Sequence, residues 1–324
     1  MQNKLSIVIP TKNRSNWLIR ILKYYSKNNF SGQLLIGDSS NKEEYNKNKN
    51  NIKKFQNLKV KQFHLIDYTA ESALEFLSKQ IDSEYSIFLS DDDLLKIQYL
   101  TKFINFLNKN DDYIGVVGKT YMLKLNTNEP WGKIDKLRVY NLFFNSSNNI
   151  NNRIKNYFDN IKACNMAIVR TDVFKYSLNS ISQFDVYHQR YIFGEYYWAI
   201  NYLIKGKIKF INLPYLLRQN HDTNIYSKIN KFDFFYKANI NKSLHILEKI
   251  LIPNLNQKEY LFIMKEKIIH NIIFTFYNLK NPKSLFKLIK IFIYNFYHKI
   301  FLLKSLKKEI GDELNFFENQ NDKI

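Results

Sequence analysis

The feature that most constrains the fold is the alternation of short apolar runs with amphipathic ones over residues 4–118. KLSIVIP (4–10) reads as a strand ending at Pro10. RSNWLIRILKYYSKN (14–28) has helical spacing at Trp17, Ile21, Leu22 and Tyr25, with Ser15 or Asn16 as its cap. QLLIGDSS (33–40) is a second buried strand, followed by a polar Lys/Asn-rich helix or loop over 41–57. LKVKQFHLI (58–66), ESALEFLSKQI (71–81) and YSIFLS (85–90) continue as strand, helix and strand. LLKIQYLTKFINFLNKN (94–110) has the pattern of an amphipathic helix, and YIGVVG (113–118) that of a fifth strand. Strands that are apolar on both faces and alternate with helices predict an α/β fold with a mostly parallel, Rossmann-like sheet flanked by helices. Such sheets bind ligands at the carboxyl ends of their strands. Thr11 to Arg14, Asp38 to Ser40, Asp67 and Asp91 to Asp93 should therefore gather along one edge.

Beyond this region, 126–152 is Asn-rich and loop-like. KACNMAIVRTDVFKYSL (162–178) reads as strand then helix, and FDVYHQRYIFGEYYWAINYLIKG (184–206) as a loop leading into a helix. KIKFINLPYLLRQNHDTN (207–224) reads as a strand, a proline turn and a polar tail, and the chain from about 230 onward is helical in pattern. The organisation expected is a domain over 1–225, with halves 1–125 and 126–225, and a helical C-terminal extension over 226–324.

The 324 residues, 45% of them hydrophobic, are enough for a sizeable core. A single cysteine, Cys164, excludes an internal disulfide framework and a Cys-rich zinc site, and reads as a small buried apolar residue. That cysteine usage, an N-terminus lacking a secretory h-region and the lack of any apolar run near the ~18 residues a span needs predict a cytoplasmic chain. The net charge of +20 admits nucleic acid, an anionic membrane surface or a phosphorylated ligand. Equally, it can be a solvated surface in a chain rich in Lys, Asn and Ile.

Against that charge stand three consecutive carboxylates in FLSDDDLL (88–95). Adjacent carboxylates repel and drive at least one pKa up. A hard divalent cation removes that penalty; Mg²⁺ typically takes one or two protein carboxylates and completes its shell with water and substrate phosphates. An acidic cap on a helix beginning at Leu94 is the plainer reading, but one aspartate suffices for that.

The ordered set IVIPTKNR (7–14), LIGDSS (35–40) and FLSDDDLL (88–95) resembles the nucleotide-sugar half of a family 2 glycosyltransferase with the GT-A fold. FD at 184–185, GE at 194–195 and RQNH at 218–221 resemble that family's acceptor-side motifs, so the likeness spans about 4–225. The resemblance implies a UDP-linked sugar donor, Mn²⁺ or Mg²⁺, and inverting transfer to a glycan or lipid-linked acceptor in surface polysaccharide synthesis. It places Thr11 and Arg14 on the nucleoside and its phosphates, and Asp38 on the base, whose N–H a carboxylate can accept. Asp67 is a weaker candidate for that pocket, since a lone loop aspartate equally serves as a turn cap. Asp91 and Asp93 match the DxD pattern, one towards the ribose and the last on the metal. The family usually has a fourth acid where Ser90 stands, so Asp92 can take either role. His221 would complete the metal site or grip the diphosphate, with Arg218 as a phosphate clamp.

Transfer also needs a carboxylate base opposite the leaving group, as inverting glycoside hydrolysis does. Glu195 opens a helix where the family places this base, but its usual aspartate neighbour is Tyr196. Glu195, Asp185, or a site that binds donor without efficient transfer all stay open. GVVGKT (115–120) is no P-loop, because Tyr113 stands where a glycine is required.

SLFKLIKIFIYNFYHKIFLLKSLKK (284–308) is a basic amphipathic helix in pattern. It can lie on an anionic membrane, making the protein peripheral at the inner face, or pack on its own domain or on another subunit of a homo-oligomer. A nucleotidyltransferase would show a Gly-rich loop after the first strand, which PTKNR lacks. A nucleic-acid-binding protein would leave the three aspartates unexplained.

Overall fold

The computed structural model describes residues 2–160, 162–184, 193–222, 240–251, 253 and 309–318. Strands β1 (Leu5–Thr11), β2 (Gln33–Asp38), β3 (Lys59–His64) and β4 (Tyr85–Phe88) form a parallel half-sheet in the order β3-β2-β1-β4. β1 and β2 sit between helical layers, so Leu5, Ile7, Val8, Ile9, Leu34, Leu35 and Ile36 are fully buried. β3 lies at the edge with Lys59 and Lys61 exposed, charges that discourage a further strand from adding there.

Helices α1 (Ser15–Lys27), α2 (Lys42–Ile52) and α3 (Ala70–Ser78) connect these strands. Side-chain caps start two of them: Asn41 accepts from the Glu44 N–H at 2.9 Å, and Thr69 from the Ser72 N–H at 3.1 Å. α1 buries Trp17, Leu18, Ile21, Leu22, Tyr24 and Tyr25, as its apolar spacing requires.

The second half-sheet mixes directions. β6 (Tyr113–Leu125) and β9 (Lys207–Asn220) run with the first four strands, whereas β5 (Asp93–Leu95), β7 (Ile134–Val139) and β8 (Ile168–Arg170) oppose them. Most of the sheet is thus parallel in sense, as the sequence pattern implies. Helices α4 (Leu100–Lys109), α5 (Ile150–Asp159), α6 (Thr171–Leu178), α7 (Glu195–Lys205) and α8 (Ile240–Leu251) complete the layers together with α9, residues 309–318.

Three local readings are corrected. No helix begins at Leu94: the aspartates lead into β5, and α4 starts only at Leu100 after a 3-10 turn at Ile97–Tyr99. The apolar Leu94 and Leu95 pair with Leu217 and Leu216 of β9, a partnership far along the chain that outweighs helical periodicity. The stretch 126–152 is not all loop, since it holds β7 and the start of α5. Finally, Pro214 makes no turn. β9 runs through it because register shifts between Gly118, Lys119 and Thr120 of β6 absorb the missing N–H.

Gly118 is required at that irregularity, because a Cβ there would lie 2.6 Å from the Leu213 carbonyl oxygen. Backbone cannot yield as a flexible side chain can. Gly118→Ala is expected to destabilise the fold by about 1–3 kcal/mol in chemical denaturation.

α9 packs back on the first half of the chain. Phe316 meets Tyr24 and Trp131 edge-on or tilted, at 5.4 and 5.0 Å between ring centres. Glu313 forms an almost fully buried ion pair with Lys96, and Glu309 binds Lys119 at 3.0 Å. The Phe317 carbonyl accepts the Gly132 N–H at 3.1 Å.

Candidate active site

The site begins at the carboxyl end of β1. Thr11 pairs in register with Asp38 at the end of β2, and the chain then turns at Asn13, which has φ +54°. Asparagine tolerates this left-handed backbone better than most residues. Its N–H donates to Ser40 Oγ at 2.7 Å and its Oδ1 accepts the Asn41 N–H at 3.0 Å, tying the β1 loop to the β2 loop. Arg14 follows directly and is thereby aimed at the acidic turn.

That turn closes by a hydrogen bond from the Asp93 N–H to the Ser90 carbonyl at 3.1 Å. Both oxygens of Asp91 are engaged, one accepting from Thr11 Oγ1 at 2.7 Å and the other from the Arg14 guanidinium at 2.6 Å. Asp93 is paired to Arg218 across β5 and β9, accepting from Arg218 Nε and from the Gln219 N–H, each at 3.2 Å. Asp92 points the other way. Its side chain is 13% exposed, against 4% for Asp91 and 2% for Asp93. Oδ2 of Asp92 lies 3.0 Å from His221 Nε2 and 3.4 Å from Arg14, and the same imidazole nitrogen is 3.3 Å from Arg14. Those two contacts make opposite demands on Nε2, a proton towards Asp92 and a lone pair towards Arg14. Trp17 underlies both groups, its ring 4.5 Å from the Arg14 guanidinium and 4.5 Å from the imidazole.

Burial pushes Asp91 up to about 6 and Asp93 up to about 7, in each case with repulsion from Asp92 adding to it and arginine opposing it. Burial also acts upward on Asp92, but the His221 hydrogen bond and the charge of Arg14 outweigh it and hold this carboxyl below the usual range. Between the ordinary aspartate value near 3.8 and these raised values, the folded chain binds more protons than the unfolded one. Stability contributed by Asp91 and Asp93 therefore falls as pH rises through that window. In chelator-containing buffer, the melting temperature of wild type relative to Asp93→Asn should fall between about pH 4 and about pH 7. A flat difference would contradict this electrostatic account.

Arg20, which the sequence pattern hides within the buried stripe of α1, is also part of this site. Its guanidinium is fully buried and donates to the Asp92 carbonyl at 2.7 Å, the Pro130 carbonyl at 2.9 Å and Gln219 Oε1. Burial lowers its pKa to about 10, with Asp92, Asp93 and Asp91 opposing that fall. The available signal was an arginine three residues after Trp17 and four before Tyr24, on the face that must be apolar. Gln219, inside the RQNH motif, was likewise not singled out.

The other expected residues fall differently. Asp38 is fully buried, and its carboxylate accepts from Asn48 and Gln62 side chains at 2.8 and 2.9 Å and from the Ser40 N–H at 3.0 Å. It organises the β2 loop from inside, and Asn48 and Gln62 went unnoticed in the sequence. Beside it His64 stacks on Tyr45, with ring centres 4.0 Å apart. Asp67 occupies an exposed turn with φ +64°, before the Thr69 cap. Glu195 opens α7, half-buried, and its charge contributes to raising the Arg218 pKa; burial opposes that rise, and Asp93 is its main cause. Asp185 and the basic segment 284–308 lie outside the described residues. Thr11, Arg14, Asp91, Asp92, Asp93, Arg218 and His221 thus converge at one sheet edge.

Among the described residues, no group of three or more His, Cys, Asp or Glu side chains is arranged to hold a metal ion by itself. The donor set does fit a hard cation that arrives with phosphate. Asp92 is the most exposed of the three carboxylates and the buried His221 lies beside it, and such ions use few protein ligands when phosphates supply the rest.

The family model described as Glycosyl transferase family 2 matches residues 6–177, just over half of the chain. The chain belongs to this family. Among solved structures, S. aureus TarS 1–349 in complex with UDP-GlcNAc superposes with a TM-score of 0.54 at 13% identity, over 84% of this chain and 73% of that one. The same TarS portion in complex with UDP gives 0.52 at 12% identity, over 88% and 78%. The chain spans 44% of the longer S. aureus TarS structure, with a TM-score of 0.50. At such identities the likeness is one of fold, and it matches the α/β architecture of GT-A type expected from the motifs. No curated protein sequence matches the chain.

Proposed function

We propose that the protein transfers a sugar from a UDP-linked donor, with inversion, to a glycan or lipid-linked glycan acceptor in surface polysaccharide synthesis. The observation that carries this reading is the convergence of the outward carboxylate Asp92, His221, Arg14 and Arg218 at the carboxyl ends of β1 and β4, in a family 2 chain. TarS has been captured with UDP and with UDP-GlcNAc, which makes these the first ligands to try.

In this reading the nucleoside lies over the β1 and β2 loops, in a pocket whose shape Asp38 maintains through Asn48, Gln62 and Ser40. Arg14 and Arg218, both beside the acidic turn, clamp the diphosphate. Asp92 and His221 hold Mn²⁺ or Mg²⁺, with Asp91 and Asp93 shaping the turn behind them. When bound, the metal supplies Lewis acidity that stabilises negative charge on the departing diphosphate. Glu195 at the start of α7 takes the proton from the acceptor hydroxyl, with Asp185 as the alternative base.

No helix among the described residues is long and apolar enough to cross a membrane. A peripheral seat at the inner membrane face, served by 284–308, remains part of the proposal.

A thermal-shift screen of UDP, GDP, CDP and dTDP with and without Mn²⁺ tests the donor side. Stabilisation by one nucleotide only when metal is present supports the reading, and indifference to all four overturns it.

A further inference from the structure

We propose that Arg20 is a positioning residue for the donor site and that α9, close to the C-terminal end of the chain, sets that site's affinity for a nucleoside diphosphate by clamping Arg20. The inference rests on the donor-binding reading above.

The guanidinium of Arg20 contacts two aromatic rings, 4.9 Å from the Trp17 ring and 4.9 Å from the Phe317 ring. Trp17 belongs to the site itself, since Arg14 and His221 rest on it. Phe317 belongs to α9. Edge-on, the same guanidinium reaches three segments at once: the Asp92 carbonyl of the acidic turn, the Pro130 carbonyl of the β6–β7 loop, and Gln219 at the end of β9. Gln219 passes the constraint on, its Nε2 donating to the Glu129 carbonyl at 2.9 Å and its N–H to Asp93 Oδ1. One planar cation thereby fixes the backbone under Asp92 and the strand that carries Arg218 and His221.

This is a costly device if stability alone were at stake. A buried charge contributes little net stability, and a packed apolar side chain of similar volume is often as good. What an apolar side chain cannot do is hold three acceptors in one plane. A lysine cannot do so either, because its ammonium lacks the rigid fork. Groups behind a ligand that fix its orientation typically matter about 10–100-fold in affinity. Arg20 stands in that relation to Asp92 and, through Gln219, to the Asp93–Arg218 pair. α9 adds a second aromatic contact to the guanidinium through Phe317, and is itself anchored by the Lys96–Glu313 and Lys119–Glu309 pairs.

The test compares the full-length wild type with Arg20→Lys, Phe317→Ala and Leu247→Ala. Leu247 is a buried residue of α8, which packs on α7, and its truncation controls for general destabilisation. Two readouts are taken on folded protein: affinity for UDP with Mn²⁺ by calorimetry, and amide hydrogen exchange of residues 90–93 and 217–221. Arg20→Lys and Phe317→Ala should each weaken UDP·Mn²⁺ by about tenfold or more and speed exchange in both segments, whereas Leu247→Ala should do neither. Phe317→Ala keeps the charge, so it decides the matter if Arg20→Lys does not fold. Wild-type exchange in these segments in the folded variants overturns the inference, as does wild-type affinity, or an equal loss in Leu247→Ala. If the wild type binds no nucleotide, the donor reading fails on its own, and the exchange pattern still decides whether Arg20 and α9 fix the turn.

Discussion

Asp92→Asn is expected to reduce UDP·Mn²⁺ affinity, and the rate of UDP release from UDP-GlcNAc, by on the order of a hundredfold or more, the scale of losing several kcal/mol of metal-borne charge stabilisation. The reason is directional. Of the three adjacent carboxylates, only Asp92 faces outward beside His221, while Asp91 is consumed by Thr11 and Arg14 and Asp93 by Arg218 and the Gln219 N–H. The same change at Asp91 or Asp93 should act mainly on the shape of the turn, with smaller losses of affinity. Calorimetry on the three variants ranks them directly. If Asp92→Asn binds as wild type while Asp91→Asn does not, the assignment of the outward carboxylate is wrong.

The second large effect concerns the base. Glu195→Gln should lower turnover by about 10²–10⁴-fold, the usual worth of general-base catalysis, while UDP·Mn²⁺ affinity stays within about twofold of wild type. Glutamine keeps the volume and hydrogen-bonding reach at the start of α7 but cannot take a proton. A binding loss as large as the rate loss would make Glu195 a structural partner of Arg218 instead. An unchanged rate would transfer the role to Asp185.

The parallel half of the sheet was legible because its strands are buried on both faces, so each appears as a short apolar run bounded by turn residues. The gathering of Thr11, Arg14 and the aspartates at one edge followed from that topology alone. What stayed hidden was non-local. β5 exists only because residues 93–95 find β9 more than a hundred positions later, and Leu94 and Leu95 fit a helix just as well when read alone. β7, with IDKLRV, carries too few apolar residues to announce itself. Which aspartate faces outward could not be read either, because three identical neighbours carry no orientation until the turn that bends them is known. Arg20 escaped for a related reason: a charged residue on a buried stripe makes sense only once its three acceptors are in view.

The ladder joining Asp93 to Arg218 has a consequence for how this chain can vary. Successive residues of a strand face opposite sides, so displacing β9 by a single position would set Gln219 opposite Asp93 and turn Arg218 away from it. Insertions or deletions within 216–218, the segment paired to β5, should therefore abolish nucleotide recognition outright, even where the protein still folds.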